Sequence, residues 1–274
     1  MKASSFSIGH IGNLETKGKE AKIKPQRREG GVLKYGQRAP HPYLQDFVDC
    51  YWFVQQKKGE SLILPDGCSD IIFKRYLDGS TEVHYVGLQT KARPVVRAEP
   101  CQYFGLRFKA YGAASLLGGQ ATELINEAIL LDELQLSFNF DLKEEYSGLQ
   151  FLLAFEKSLI TTRYKSNVKF QPIVSSATNL LKKGEIFTVA QIAKRLGVSR
   201  QYLTRIFKNK VGLSPVQYAQ SLSAARATRL LRQDKKPDWA AIALELGFYD
   251  QSHFIASFKK ITGTTPETYR RLNI

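Results

Sequence analysis

Sulfur is scarce in this chain, with three cysteines and one methionine in 274 residues. Cys50, Cys68 and Cys101 are odd in number and widely separated. They offer neither a disulfide framework nor the paired spacing of a zinc site, and read as buried or half-buried free thiols. Histidine is nearly as rare, with four residues. His41 and His84 have no ligand-spaced partner, so no metal is expected. Long apolar runs are missing as well: no window reaches the ~18 uncharged apolar residues of a membrane helix. Residues 1–31 are polar and basic, without the apolar stretch of a secretory leader. A cytoplasmic protein without a membrane partner is the expectation. Nucleophile–base pairs, glycine-rich phosphate loops and paired-carboxylate motifs do not stand out, so no catalytic residues and no cofactors are expected.

What is present is length for two ordinary domains and an ordinary globular composition, 43% hydrophobic and 24% charged. The net charge of +15 is unevenly spread. Residues 1–31 carry +4, residues 32–165 carry −1, and residues 166–274 carry +12, from eighteen Lys/Arg and six Asp/Glu. Such a charge in one segment attracts a polyanion through counterion release. Charge alone leaves DNA, RNA and anionic membrane open.

The pattern along the chain divides it into three. Residues 1–30 are poor in large apolar side chains and read as a disordered basic arm. From 31 to about 109, FVDCYWFVQ, SLILPDG, DIIFKRY, EVHYVGLQ, RPVVRAE and QYFGLRFKA are β-branched and aromatic. Pro65-Asp66-Gly67 and Asp78-Gly79-Ser80 are turn signals between them. This predicts a small barrel or sandwich. Apolar residues at helical spacing follow near 111–117, 121–135 and 141–164. The polar stretch 161–169 marks a boundary, giving a β-rich domain at 31–165 and a helical one at 166–274, α+β overall.

The helical part contains a repeat. Ile192, Ala193, Leu196 and Gly197 match Ile242, Ala243, Leu246 and Gly247 at an offset of 50. Leu203, Phe207, Gly212, Pro215 and Tyr218 match Phe254, Phe258, Gly263, Pro266 and Tyr269 at 51. Each copy reads as helix, tight turn, helix, with Ser199 and Asp250 placed to cap the second helix. Leu203, Ile206 and Phe207 face inward. Arg200, Gln201, Thr204, Arg205 and Lys208 then face outward, and so do Gln251, Ser252, Ile255, Ala256 and Lys259 of the second copy. Side chains of these types suit base edges and phosphates. A helical segment, 215–233, joins the copies. Reading units ~34 Å apart would enter successive major grooves of DNA.

Residues 170–274 resemble the DNA-binding domain of AraC/XylS-family transcription regulators, including the G-x-S/T-P-x-x-Y ending of each copy. The resemblance implies two helix-turn-helix units on promoter DNA, base contacts from Gln201, Thr204, Arg205, Gln251, Ser252 and Ile255, RNA polymerase as a partner, and activation of transcription. Ser199, Arg200, Lys208 and Lys259 are further expected DNA contacts from their positions on the same helices. It places His253 against the core. Ala256 stands where relatives often carry Arg, which predicts weaker base reading by the second unit. Ser223 and Ala224 replace a usual Arg-Leu pair. The N-terminal half is similar, more loosely, to the cupin-like sensor barrels of such regulators, implying an effector in the barrel and homodimerisation through helices near 121–164.

If Arg93–Arg97 is a strand, alternation puts Arg93, Val95 and Arg97 on one face, where two guanidiniums can clamp a phosphate or carboxylate effector. Arg107 is a third candidate. The R-x-x-x-R spacing resembles half of the cyclic-di-GMP motif of PilZ proteins, the other half being approximated by Ala113, Ser115 and Gly118. Two other readings compete: control by a partner protein without a small molecule, and a repair-type enzyme delivered to DNA. The enzyme would need a four-cysteine zinc site and a Pro-Cys-His-Arg motif, which this chain lacks.

Overall fold

The computed structural model describes residues 34–56, 58–136, 140, 146–165, 168–183, 188–231 and 237–273. The basic arm expected at 1–30 lies outside them. Eight strands come first: β1 (Lys34–Arg38), β2 (Val48–Gln56), β3 (Gly59–Ile63), β4 (Ser69–Arg75), β5 (Thr81–Val86), β6 (Arg93–Arg97), β7 (Cys101–Phe108) and β8 (Ala128–Leu130). All six segments read as strands from their composition contribute one. Both turn signals are turns, with Gly67 and Gly79 at φ 72° and 91° and Ser80 N–H donating to Asp78 Oδ1 at 2.8 Å.

The strands form two sheets. One is six-stranded, in the order β1-β2-β7-β4-β5-β8, and the other pairs β3 with β6. The hydrogen bonds among the described residues therefore trace two separate sheets, where the sequence reading gives a small barrel or sandwich and the resemblance a cupin-like barrel. Every pairing is antiparallel. Within β6, Pro94 has no N–H to donate, which suits a strand bonded along one side.

The large sheet presents its apolar face (Ile71, Phe73, Val83, Tyr85, Leu106, Phe108) to α1 (Gly112–Leu116) and α2 (Gly148–Lys165). On α2, Phe151, Phe155 and Leu159 recur every fourth residue and are fully buried, and Phe151 lies 5.2 Å from Phe73. The opposite face is mixed, with Cys50, Val54 and Ile72 beside Asp70, Lys74 and Arg107. There Trp52 lies over Gly105, where a Cβ would come within 2.0 Å of the indole. The Trp52 indole N–H donates to Asp70 Oδ1 at 2.7 Å.

The helix expected at 121–135 does not form. Asn126 at φ 68° interrupts it, and Ala128–Leu130 instead extends the large sheet beside β5. A short apolar run fits a helix face and a sheet edge alike, and the exposed backbone of β5 decides between them. Of the segment 141–164, residues 148–164 are helical, and 141–145 lie outside the described residues.

The remaining chain is helical: α3 (Pro172–Lys183), α4 (Val189–Arg195), α5 (Arg200–Val211), α6 (Pro215–Leu231), α7 (Trp239–Glu245), α8 (Gln251–Thr262) and α9 (Pro266–Asn273). Its core is not separate from the sheet's. Ile192, Leu203, Phe207, Tyr218 and Leu222 belong to the same apolar cluster as Phe47, Phe73 and Leu116. The second helix pair has its own cluster around Ile242, Phe254, Phe258 and Tyr269, against which Leu62 and Leu64 pack. Ala92 N–H also donates to the carbonyl of Ile261 at 2.7 Å.

Candidate nucleic-acid interface

The two helix pairs repeat each other in detail. Thr188 opens α4 with a reciprocal capping box to Gln191, and Asp238 caps α7 through Ala240 and Ala241 N–H. Gly197 and Gly247, at φ 67° and 80°, close these helices. Ser199 Oγ then accepts from Tyr202 N–H at 3.1 Å, and Asp250 Oδ1 from His253 N–H at 2.7 Å. Both capping roles follow the sequence reading. Ser199→Ala and Asp250→Ala should each lower stability by about 1 kcal/mol in urea unfolding, the usual effect of removing a cap. An unchanged midpoint would mean that other contacts hold these helix starts.

The G-x-S/T-P-x-x-Y endings also have a structural meaning. Gly212 and Gly263 end α5 and α8 in the left-handed conformation. Ser214 and Thr265 accept from Gln217 and Thr268 N–H. Tyr218 and Tyr269 return to pack on Phe207 and Phe258, at 5.5 and 5.7 Å.

Leu203 and Phe207 are fully buried, and their counterparts Phe254 and Phe258 are 1% exposed. The opposite face of α5 presents Arg200, Gln201, Arg205 and Lys208 to solvent, with Thr204 half-buried and donating to the carbonyl of Arg200. The same face of α8 presents Gln251, Ser252, Ala256 and Lys259. Ile255 is half-buried against the second core cluster, so it is committed partly to packing. His253, expected against the core, is exposed, and its ring meets Phe248 edge-on at 5.2 Å. Two exposed tyrosines beside these faces escaped the sequence reading. Tyr249, 89% exposed, precedes the cap of α8, and Tyr202 lies under the Arg205 guanidinium at 5.7 Å. An aromatic in a region of apolar periodicity reads as core, and only its exposure reveals otherwise.

Ser223 and Ala224, the departures on α6, are buried. Ala224 packs in the second cluster, and Ser223 Oγ donates to the carbonyl of Gln220 at 2.7 Å. This part of α6 is held by close packing of small residues.

In the N-terminal region Arg93–Arg97 is a strand, and Arg93, Val95 and Arg97 share a half-buried face. Arg97 Nη1 donates to Ser61 Oγ at 3.0 Å, while its Nε is buried without a hydrogen-bond partner among the described residues. Arg107 differs. It pairs with Asp66 at 3.0 Å and Asp70 at 3.1 Å, so its charge is already met inside the protein and it is no open clamp. Ala113 is buried in the apolar core cluster, to which Arg93 and Arg97 of the two-stranded sheet do not belong. The fold thus does not bring the two half-motifs of a PilZ-like site together. All three cysteines are buried free thiols, and burial pushes Cys50 and Cys68 up to about 12.

Residues 192–272 match the helix-turn-helix domain family, and residues 37–130 match a domain of unknown function (DUF6597). An AraC-like transcription regulator of Streptomyces antibioticus is 34% identical over 102 residues, 36% of this chain and 33% of its own length. The arabinose operon regulatory protein of Escherichia coli is 30% identical over 84 residues, 31% of this chain and 28% of its own. The chain thus spans about a third of the length of these curated relatives. Among solved structures, the C-terminal domain of AraT, a response regulator from Geobacillus stearothermophilus, is 31% identical. That alignment covers 38% of this chain and 88% of that one, with a TM-score of 0.36. With its paired, capped helices and these sequence matches, the C-terminal part of the chain, residues 192–272, is a helix-turn-helix domain similar to that of AraC-like DNA-binding transcription regulators.

Proposed function

We propose that the chain is a sequence-specific regulator that reads a bipartite promoter site with α5 and α8, under the control of its N-terminal region. The observation that carries this is the repeated burial pattern of the two helix pairs. Each second helix buries two large apolar residues at i and i+4 and turns a polar, partly basic face to solvent. Residues 166–274 are the DNA-binding domain in this reading and residues 31–165 the sensor. Activation, RNA polymerase as partner, homodimerisation and a cytoplasmic location are parts of the same reading, supported by the family.

The first unit leads in specificity. The exposed face of α5 carries Arg200, Arg205 and Lys208, whereas the matching positions of α8 carry Gln251, Ala256 and Lys259. Arg205 is the side chain best suited to a bidentate guanine contact. Selection of a randomised duplex pool at physiological salt should return two half-sites about one helical turn (10–10.5 bp) apart. Because the first unit shares its core with the N-terminal region, the full chain is the object to use. Arg205→Ala should relax base preference in one half-site, costing about 1–3 kcal/mol. Gln251→Ala should cost less. Salt-sensitive binding with no enriched motif would refute sequence reading, and an equal loss from Gln251→Ala would refute the ranking of the units.

The effector reading rests on Arg93 and Arg97. They share one half-buried face of the small sheet, where two guanidiniums can clamp an anionic group.

A further inference from the structure

A second cationic site lies elsewhere, where the N-terminal region meets the helical one. A partly open cleft of about 130 Å³ is lined by Asp66, by Lys182 of α3, and by Leu222, Ala225, Arg226 and Arg229 of α6. Three cations therefore face one carboxylate. That carboxylate is already engaged, pairing with Arg107 at 3.0 Å and accepting from Cys68 N–H at 3.0 Å. The cations are poorly matched in return. Lys182 Nζ reaches the Cys68 thiol at 3.1 Å, a weak acceptor. Arg226 donates through Nη2 to the carbonyl of Leu181, but its Nε is buried without a hydrogen-bond partner among the described residues. Arg229 is exposed at the mouth.

Buried polar groups in native proteins almost always have partners, and an orphaned guanidinium donor among like charges is costly. Burial and the charge of Arg229 both lower the Arg226 pKa, in keeping with a cation short of counter-charge. A doubly charged oxyanion would offset this positive excess, and phosphate suits arginine's forked donors. Size narrows the class. The cleft is smaller than the ~300–1,000 Å³ of pockets that enclose drug-sized ligands, and corresponds to about four waters at ~30 Å³ each. It holds a phosphate group but not a nucleoside, and any remainder of a ligand must extend through the open side.

We propose that this cleft binds a phosphate group, free or carried on a small metabolite, between Lys182, Arg226 and Arg229. The proposal does not depend on how DNA is read.

The test is calorimetric titration of the full-length protein, without DNA, using inorganic phosphate and separately glycerol phosphate, at ionic strength fixed with chloride. Saturable binding is expected, weakened about tenfold or more by Arg229→Ala, the scale of one lost charge-assisted contact. Ala225→Glu, which adds a carboxylate to the cleft, should weaken it similarly. Arg205→Ala on the exposed face of α5 should leave it unchanged. Tighter binding of the ester would identify a phosphorylated metabolite as the ligand, and equal or weaker binding the free ion. Absence of saturable binding overturns the proposal. So does binding that survives both cleft substitutions, or that is lost with Arg205→Ala instead.

Discussion

Replacing Phe207 with alanine should cost about 3–5 kcal/mol of stability, the range for removing a fully buried aromatic from a packed core. Phe207 is fully buried and packs edge-on against Tyr218, which donates from its hydroxyl to the carbonyl of Gly67 at 3.1 Å. The void would therefore open where the helical region meets the sheet. Two tryptophans make the consequence measurable. Trp52 lies on the large sheet, and Trp239 packs near Phe254 at 6.5 Å in the second cluster. In a Trp239→Phe background, urea unfolding followed by Trp52 fluorescence should shift to lower denaturant when Phe207→Ala is added. Phe258→Ala, its repeat counterpart, should shift the Trp52 transition less, because Phe258 belongs to the other cluster. If Phe207→Ala leaves the Trp52 transition in place, the two regions unfold independently and the shared core is refuted.

Gly212→Ala and Gly263→Ala form a matched pair in which the second effect is expected to be clearly smaller. Both glycines end a helix at nearly the same backbone angle, φ 83° and 80°. An alanine in the left-handed region costs about 1–2 kcal/mol at either position. Only Gly212 faces a neighbour. A Cβ there would lie 2.3 Å from the backbone carbonyl oxygen of Thr122, whereas one on Gly263 would meet nothing within 4 Å. Backbone cannot swing aside as a long side chain can, so overpacking adds roughly 1–3 kcal/mol to the first substitution. Thermal unfolding of the two variants gives the difference directly. Equal losses would mean that the end of α5 is not docked against the 119–122 turn.

Much of the helical region was legible residue by residue. Ser199 and Asp250 are caps, Leu203 and Phe207 are core, and Arg205 is exposed, all as the spacing predicts. The misreadings have a common origin. Ile255 has a position on the helix that reads as outward, yet a neighbouring cluster half-covers it. The 121–135 segment has helical spacing, yet the free edge of β5 recruits three of its residues as a strand. Arg107 reads as an available cation, yet Asp66 and Asp70 neutralise it. In each case a partner distant in sequence or packed from another element overrides a local preference.

The sequence by itself determined the two capped helix pairs, their outward polar faces and the strand content of the first half. Helix periodicity, caps and turn residues act within a few positions, so their signals are written locally. Only the tertiary structure decided that the strands form a six-stranded and a two-stranded sheet, and that the first helix pair joins the sheet's core while the second rests on Leu62 and Leu64. It alone brings Asp66 to Lys182, Arg226 and Arg229. Those contacts join residues more than a hundred positions apart, and no short-range spacing records which distant surface a side chain will meet.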